Sequence, residues 1–158
     1  MSLRRGVPYG ALSSRLNQLL ILELLCMAHN REQNSGEEDV TVKTVLVVED
    51  DIGIGNFLVQ AISQETAHHA LLVTDAFQAL KTVASLKPSL FILDYQLPKM
   101  NGIELYDHLH ATKGLEEIPA IVISARLPRH EIEKRKILAM SKPLELDDFL
   151  NTIERLLD

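Results

Sequence analysis

The 158-residue sequence contains a single cysteine, Cys26, so it cannot form an internal disulfide. This fits a reducing compartment. It also lacks any apolar stretch of the roughly 20 residues that a membrane helix needs. The nearest approach, at residues 19–28, is interrupted by Glu23, and no convincing signal-peptide cleavage site follows it. The sequence therefore predicts a cytoplasmic protein with no membrane partner.

An excess of positive charge is also missing, since the formal net charge is −6. Residues 1–43 hold five basic and five acidic side chains, whereas residues 44–158 hold 11 basic and 17 acidic ones. Such an acidic region is a poor match for a nucleic-acid-binding surface. A hydrophobic content of 46% with 24% charged residues is typical of a globular chain, and the length suits one domain.

A third glycine is absent where a dinucleotide-binding fingerprint requires it. The segment TVLVVEDDIGIG, at residues 44–55, places Gly53 and Gly55 after an apolar run, but Leu58 occupies the third position. The three acids at 49–51 would also repel a phosphate unless a cation stood between them. The segment is better explained as the ligand set of a cation.

Apolar and helix-like segments alternate after residue 43 and predict five strands and five helices. Because the apolar runs are nearly continuous, they favour a doubly wound parallel α/β sheet with helices on both faces. The predicted strands are 44–48, 70–73, 89–93, 120–123 and 137–140, and the predicted helices are 53–65, 75–86, 102–113, 129–136 and 145–157.

The first 43 residues form an N-terminal extension ahead of the domain at 44–158. Residues 30–43 are polar and charged and read as a linker. Residues 11–29 have helical propensity and a broad apolar face. Two interpretations stay open: a passive extension, or a helix that docks on a partner or on a second copy, which would make a homodimer.

Polar side chains follow four of the five predicted strands. Glu49 and Asp50 follow the first, Asp94 the third, Ser124 the fourth and Lys142 the fifth. Each alone is commonly a cap, a turn residue or a solvated surface group. In a doubly wound sheet, however, the carboxyl ends of strands meet at the ligand-binding crevice. Clustered carboxylates there favour Mg²⁺, and a hydroxyl with an ammonium suits an incoming phosphoryl group.

Four motifs resemble the receiver domain of the two-component response regulator family: VLVVEDD, LFILDYQLPKMNGIEL, IPAIVISA and SKPLELDDFL. The resemblance covers residues 44–158. It implies a flavodoxin-like strand order 2-1-3-4-5. It also implies that Asp94 takes a phosphoryl group from a histidine kinase or phosphotransfer protein, with Ser124 and Lys142 contacting the phosphoryl oxygens. Magnesium would be held by Glu49, Asp50, Asp94 and the backbone of Tyr95 and Gln96.

The sequence departs from the family pattern between the fourth and fifth strands. Lys142 follows Ser124 by 18 residues, about one helical turn fewer than is usual in the family. Ala139 stands where the family commonly has an aromatic residue or histidine. All the predicted site residues are present, but the segment through which the family usually couples the site to the protein surface is altered. We therefore expect a smaller conformational response to phosphorylation. The family's Lys-Pro peptide bond, here Lys142-Pro143, is commonly cis.

Three functions are compatible with these features. The leading interpretation is a phosphorylatable stand-alone receiver that signals by contact with a downstream protein and shows at most Mg²⁺-dependent self-phosphorylation and slow self-dephosphorylation. The second is a binding module whose switching does not depend on phosphorylation. The third is an enzyme on a similar sheet. Gln96 weakens this third possibility, because an aspartate-nucleophile phosphatase would have another Asp two residues after Asp94.

Overall fold

The computed structural model describes residues 41–126 and 128–158, and each predicted strand and helix of the domain is present there. The strands are β1 (Thr44–Val48), β2 (His69–Val73), β3 (Leu90–Asp94), β4 (Ala120–Ser124) and β5 (Leu138–Ser141). The helices are α1 (Ile52–Glu65), α2 (Ala76–Val83), α3 (Gly102–His110), α4 (Arg129–Arg135) and α5 (Leu146–Leu157). The predicted helix at 11–29 and most of the linker at 30–43 lie outside the described residues.

The five strands form one parallel sheet in the order β2-β1-β3-β4-β5, which confirms the predicted fold. Both faces of the central strands are buried, as near-continuous apolar runs require. Leu46 and Val48 of β1 face a cluster that includes residues of α2 and α3. Val45 and Val47 face the opposite cluster, which includes residues of α1 and α5. The carboxyl ends of β1 and β3 are therefore neighbours, with their helices on opposite faces of the sheet.

Side-chain caps start three of the helices. Asp51 accepts a hydrogen bond from the Ile54 backbone N–H at the start of α1, and Asp75 does the same for Gln78 in α2. Asn101 and Glu104 form a capping box at the start of α3. Such caps satisfy backbone donors that have no partner within the helix. They place each helix start beside the carboxyl end of the preceding strand.

Two helices end about three residues earlier than the sequence predicted. After α2, the backbone N–H groups of Ser85 and Leu86 both donate to the Thr82 carbonyl, which closes the helix with a tight turn. After α3, the Thr112 hydroxyl donates to the His108 carbonyl, and Gly114 has φ 89°. Local side-chain and turn contacts therefore replaced the last helical turn in both places.

Helix α4 differs from the other helices because none of its seven residues is buried and its first turn has no side-chain cap. It is instead tied to α3 through Arg135, whose guanidinium forms paired hydrogen bonds of 2.7 Å with both carboxylate oxygens of Asp107. Arg135 also contacts Glu131 one turn earlier in α4. The short predicted helix at 129–136 is thus confirmed in place, and it is held largely by polar contacts.

In the part of the chain that the structure describes, no helix is both long and apolar enough to cross a bilayer.

Candidate functional site

The turn from β1 to α1 separates its three acids into different environments. Glu49 is buried, whereas Asp50 and Asp51 are exposed. Adjacent residues of an extended chain point to opposite sides, so the three carboxylates cannot share one direction. The Asp51 carboxylate is engaged as the cap of α1. This leaves Glu49 and Asp50 as the two acids of this turn that can serve a ligand.

Asp94 is the last residue of β3 and is only 5% exposed. Its Oδ2 accepts a 3.1 Å hydrogen bond from the backbone N–H of Gln96. Carboxylate oxygens of Glu49, Asp50 and Asp94 all lie within 4.8 Å of one another. A cluster of hard oxygen donors at this separation fits Mg²⁺, which takes a few carboxylates and fills its other positions with water or phosphate oxygens.

The Lys142 ammonium lies between the two buried acids. Its Nζ is 2.9 Å from Asp94 Oδ1 and 3.1 Å from Glu49 Oε2. Lys142 follows β5, and its backbone N–H donates to the Ser124 carbonyl at the end of β4. The Lys142-Pro143 peptide bond is cis, as the resemblance implied. One ammonium thus compensates the charge of two buried carboxylates, each of which also accepts a hydrogen bond from a backbone N–H.

The site shifts the pKa of both Glu49 and Lys142 upward. Burial, and then the nearby Asp94 charge, raise the pKa of Glu49, and these outweigh its contact with Lys142. Burial opposes the charged form of Lys142, but hydrogen bonds to Asp94 and Glu49 outweigh it and raise the lysine pKa. Three like-charged carboxylates with one lysine leave the site short of positive charge, which favours a cation as an additional partner.

Ser124 ends β4, one residue beyond Ile123, which pairs with Asp94 in the sheet, and is 1% exposed. Its hydroxyl donates to the Arg126 carbonyl at 2.8 Å and accepts from the Arg126 backbone N–H at 3.1 Å. The serine is therefore in the predicted place at the crevice. In this state, however, its single proton is used within the loop that follows β4.

The sequence did not indicate the part played by the loop at 95–101 and by Gly102. Lys99 has φ 70°, and the Met100 N–H donates to the Pro98 carbonyl at 2.9 Å, which makes a tight γ-turn. Gly102 packs so closely that a Cβ there would lie 2.3 Å from the Asp94 carbonyl oxygen. The Asn101-Gly102 pair at the predicted start of the third helix is the signal that could have pointed to this place, but it does not report how closely the glycine packs.

Ala139 lies on the edge strand β5 and lines a shallow groove of about 410 Å³ with residues of α5, including Asp148, Asn151 and Arg155. None of the described residues that line this groove is aromatic. The predicted smaller response to phosphorylation depends on this feature and stays a prediction.

The family model for the response regulator receiver domain matches residues 45–154. The chain is 34% identical over 88 residues to the DNA-binding response regulator MtrA of Mycobacterium tuberculosis, a match that covers 56% of this chain and 37% of MtrA. It is 25% identical over 116 residues to the polar-differentiation response regulator DivK of Brucella anthropi, covering 71% of this chain and 94% of DivK. The chain thus spans little more than a third of MtrA.

Solved structures with the same fold include the chemotaxis protein CheY4 of Vibrio cholerae, with a TM-score of 0.68 and 20% identity over 73% of this chain and 99% of that one. The receiver domain of the Francisella response regulator 1452 gives a TM-score of 0.64 and 24% identity, covering 73% of this chain and 96% of that chain. At these identities the likeness concerns the fold alone.

Proposed function

Because this chain belongs to the response regulator receiver domain family, we propose that Asp94 accepts a phosphoryl group from a phosphohistidine of a histidine kinase or phosphotransfer protein. The observation that supports this most is the pairing of the buried Asp94 with Lys142 beside two further carboxylates. A buried nucleophile needs such compensation to remain charged and reactive.

In the proposed step, a carboxylate oxygen of Asp94 attacks phosphorus. The P–N bond to the donor imidazole breaks, its electron pair stays on the nitrogen, and an acyl phosphate forms on Asp94. Lys142, now 2.9 Å from Asp94, can pair with a phosphoryl oxygen. The Ser124 hydroxyl can donate to another if it gives up its bond to the Arg126 carbonyl.

Glu49, Asp50, Asp94 and the backbone of Gln96 are the groups that we propose hold Mg²⁺. When bound, the cation supplies neutralisation of the clustered carboxylates and of the transferring phosphoryl oxygens. Asp50 is the exposed acid of the cluster and Asp51 is committed to capping α1. We therefore expect Asp50 to be the main protein ligand.

We also propose that the domain works in the cytoplasm and passes its signal by contact with a downstream protein. MtrA is named as DNA-binding, but the match covers only 37% of that protein. The described domain itself offers an acidic crevice, which does not suit a nucleic-acid contact.

Intact-mass measurement after incubation with Mg²⁺ and acetyl phosphate tests the assignment. We expect the mass to rise by one phosphoryl group, and neither Asp94→Asn nor the wild type in EDTA to show the rise. Asp51→Asn is the matched control, because asparagine caps a helix as well as aspartate and the same charge is removed nearby. Unchanged modification of Asp94→Asn would place the nucleophile elsewhere.

A further inference from the structure

Glu49 has both carboxylate oxygens engaged by the protein itself. Oε2 lies 3.1 Å from the Lys142 ammonium, and Oε1 accepts from the Asp51 backbone N–H at 3.3 Å. The side chain is 3% exposed. By contrast, Asp50 is exposed beside it. The two neighbouring acids are therefore differently placed: one faces solvent and the other faces the lysine.

Lys142 needs an anion that remains when Asp94 reacts. In the free protein the ammonium is shared between Asp94 and Glu49. Once Asp94 carries an acyl phosphate, its carboxyl oxygen no longer bears the charge that attracted the lysine. Of the two carboxylates that contact Lys142 in the described structure, Glu49 is the one that the reaction leaves unchanged.

We propose that Glu49 is the positioning residue of Lys142, an inference that rests on the proposed phosphoryl transfer. Glu49 holds the ammonium at the crevice through the reaction, so that it meets the incoming phosphoryl oxygens. The role of Glu49 toward the lysine then outweighs its role toward the metal. Asp50 carries most of the protein's affinity for Mg²⁺.

The length of the Glu49 side chain is essential to this role. Aspartate would withdraw the carboxylate by roughly 1 Å or more, the contribution of one methylene. The contact with Lys142 would then exceed hydrogen-bonding distance. The backbone cannot follow, because Glu49 directly follows β1, whose Val45–Val48 segment is fully buried and paired on both sides by β2 and β3. Aspartate would still place a carboxylate in the metal cluster.

Glu49→Asp therefore separates the two roles. We expect its Mg²⁺ affinity, measured by calorimetric titration, to stay within about threefold of wild type, since the metal can still meet a carboxylate there. The rate of phosphorylation by acetyl phosphate at saturating Mg²⁺ should fall about tenfold, the loss of one charge-assisted hydrogen bond. In the metal-free variant, the ammonium hydrogens of Lys142 should exchange with water faster than in wild type, as followed through the ¹⁵N side-chain resonance.

Two further variants complete the test. In a Lys142→Met background, Glu49→Asp should cause no additional loss of saturating rate, because the positioned group is gone. Glu49→Gln keeps the length but removes the negative charge that Lys142 needs, so its saturating rate should also fall about tenfold. This variant also serves if Glu49→Asp fails to fold by circular dichroism.

Three results would overturn the proposal. One is a tenfold or larger loss of Mg²⁺ affinity in Glu49→Asp with an unchanged saturating rate, which would make Glu49 a metal ligand first. Another is an equal loss of rate with or without Lys142. The third is a wild-type saturating rate in Glu49→Gln, which would show that no anion is needed beside Lys142. Failure of the proposed phosphoryl transfer is distinguishable, because wild type itself would then gain no mass, while the Lys142 resonance would still report on its anchoring.

Discussion

At the scale of single residues, the site is an electrostatic compromise within a buried corner. Glu49 and Asp94 are both nearly inaccessible to water, and Lys142 is the cation that contacts both. Burying a charge is costly unless an opposite charge and hydrogen bonds compensate it. The arrangement is therefore stable only while the lysine is protonated, and this makes the stability of the domain depend on pH.

We predict that Lys142→Met lowers the free energy of unfolding most strongly at neutral to moderately alkaline pH. The lysine pKa is raised in the folded state above its usual 10.5, so its contribution is complete below that pH and is lost as the pH rises through the folded pKa. The Glu49 pKa is raised above 4.5, so lowering the pH protonates this acid in the folded state. The variant then no longer has to bury the Glu49 charge without the lysine. The difference from wild type should therefore shrink at both ends.

Urea denaturation at about pH 5, pH 8 and pH 11 would measure the difference in free energy of unfolding below, at and above the predicted maximum. Lys81→Met, on the exposed face of α2, is the matched control and should show no such maximum. A difference that stays constant across the range would mean that the ion contacts of Lys142 do not contribute to stability.

Gly102 is a residue whose missing side chain positions the nucleophile. A Cβ at this place would meet the Asp94 carbonyl oxygen at 2.3 Å, well inside any tolerable contact. We predict that Gly102→Ala lowers the free energy of unfolding by about 3 kcal/mol, as overpacking against a backbone does, and slows phosphorylation of Asp94.

Gly114→Ala provides the control, because Gly114 has φ 89° but nothing within 4 Å of its Cβ position. It should cost only the backbone strain, about 1 kcal/mol, with normal phosphorylation. Equal effects of the two substitutions in urea denaturation would show that contact with Asp94 is not the cause.

At the scale of elements, α4 is the helix that is not held in place by buried side chains of its own. It has seven residues and none is buried, so the bond from Arg135 to Asp107 of α3 replaces the apolar face that holds the other helices. Hydrogen bonding to Arg135 lowers the pKa of Asp107 below its usual 3.8. The clamp therefore contributes above that pH and is lost as the pH falls through the lowered value.

We predict that Asp107→Asn raises amide hydrogen exchange throughout Arg129–Arg135, because the helix loses its charged anchor on α3. The increase should also appear in wild type at high salt, which screens exposed charge pairs. Glu133→Gln removes one negative charge from the exposed surface of the same helix and is the control. Exchange that is unchanged in Asp107→Asn would show that packing around Ile137, which is buried, holds the segment instead.

At the scale of the whole molecule, the proposed site residues of the described domain lie together at one end of the sheet. The carboxyl ends of β1, β3 and β4 and the residue after β5 carry the acids, the serine and the lysine. At the amino-terminal end, the carbonyl of Lys43 accepts a hydrogen bond from the N–H of His69, the first residue of β2.

We predict that a chain lacking residues 1–40 retains phosphorylation of Asp94, since every proposed site residue lies in 41–158. Stopping the deletion at residue 40 preserves the pairing of Lys43 with His69. If residues 11–29 form a helix that covers an apolar surface of another copy, mass in solution should fall from dimer to monomer and thermal stability should decrease. A chain that keeps the same mass and stability would make the extension a passive one.

Much of this protein follows from sequence alone. Periodic apolar runs such as LFIL, flanked by helical segments, determine a parallel sheet buried on both faces, because strands and helices that alternate have few other ways to bury such runs. Acids at the ends of β1 and β3 then indicate a shared crevice. Local propensity and spacing carry this information, since each element is decided by residues that are close together in the sequence.

Tertiary structure alone decided which side chains meet. Lys142 contacts Glu49 across 93 positions, and Arg135 contacts Asp107 across 28. Within single loops, the detailed backbone path likewise decides that Ser124 bonds to Arg126 and that Gly102 packs on the Asp94 carbonyl. These contacts depend on strand register, loop geometry and the direction of each side chain. A displacement of the atoms by less than a bond length decides whether a contact forms. No periodicity in the sequence reports such distances, so they emerge only when the sheet and its loops are assembled.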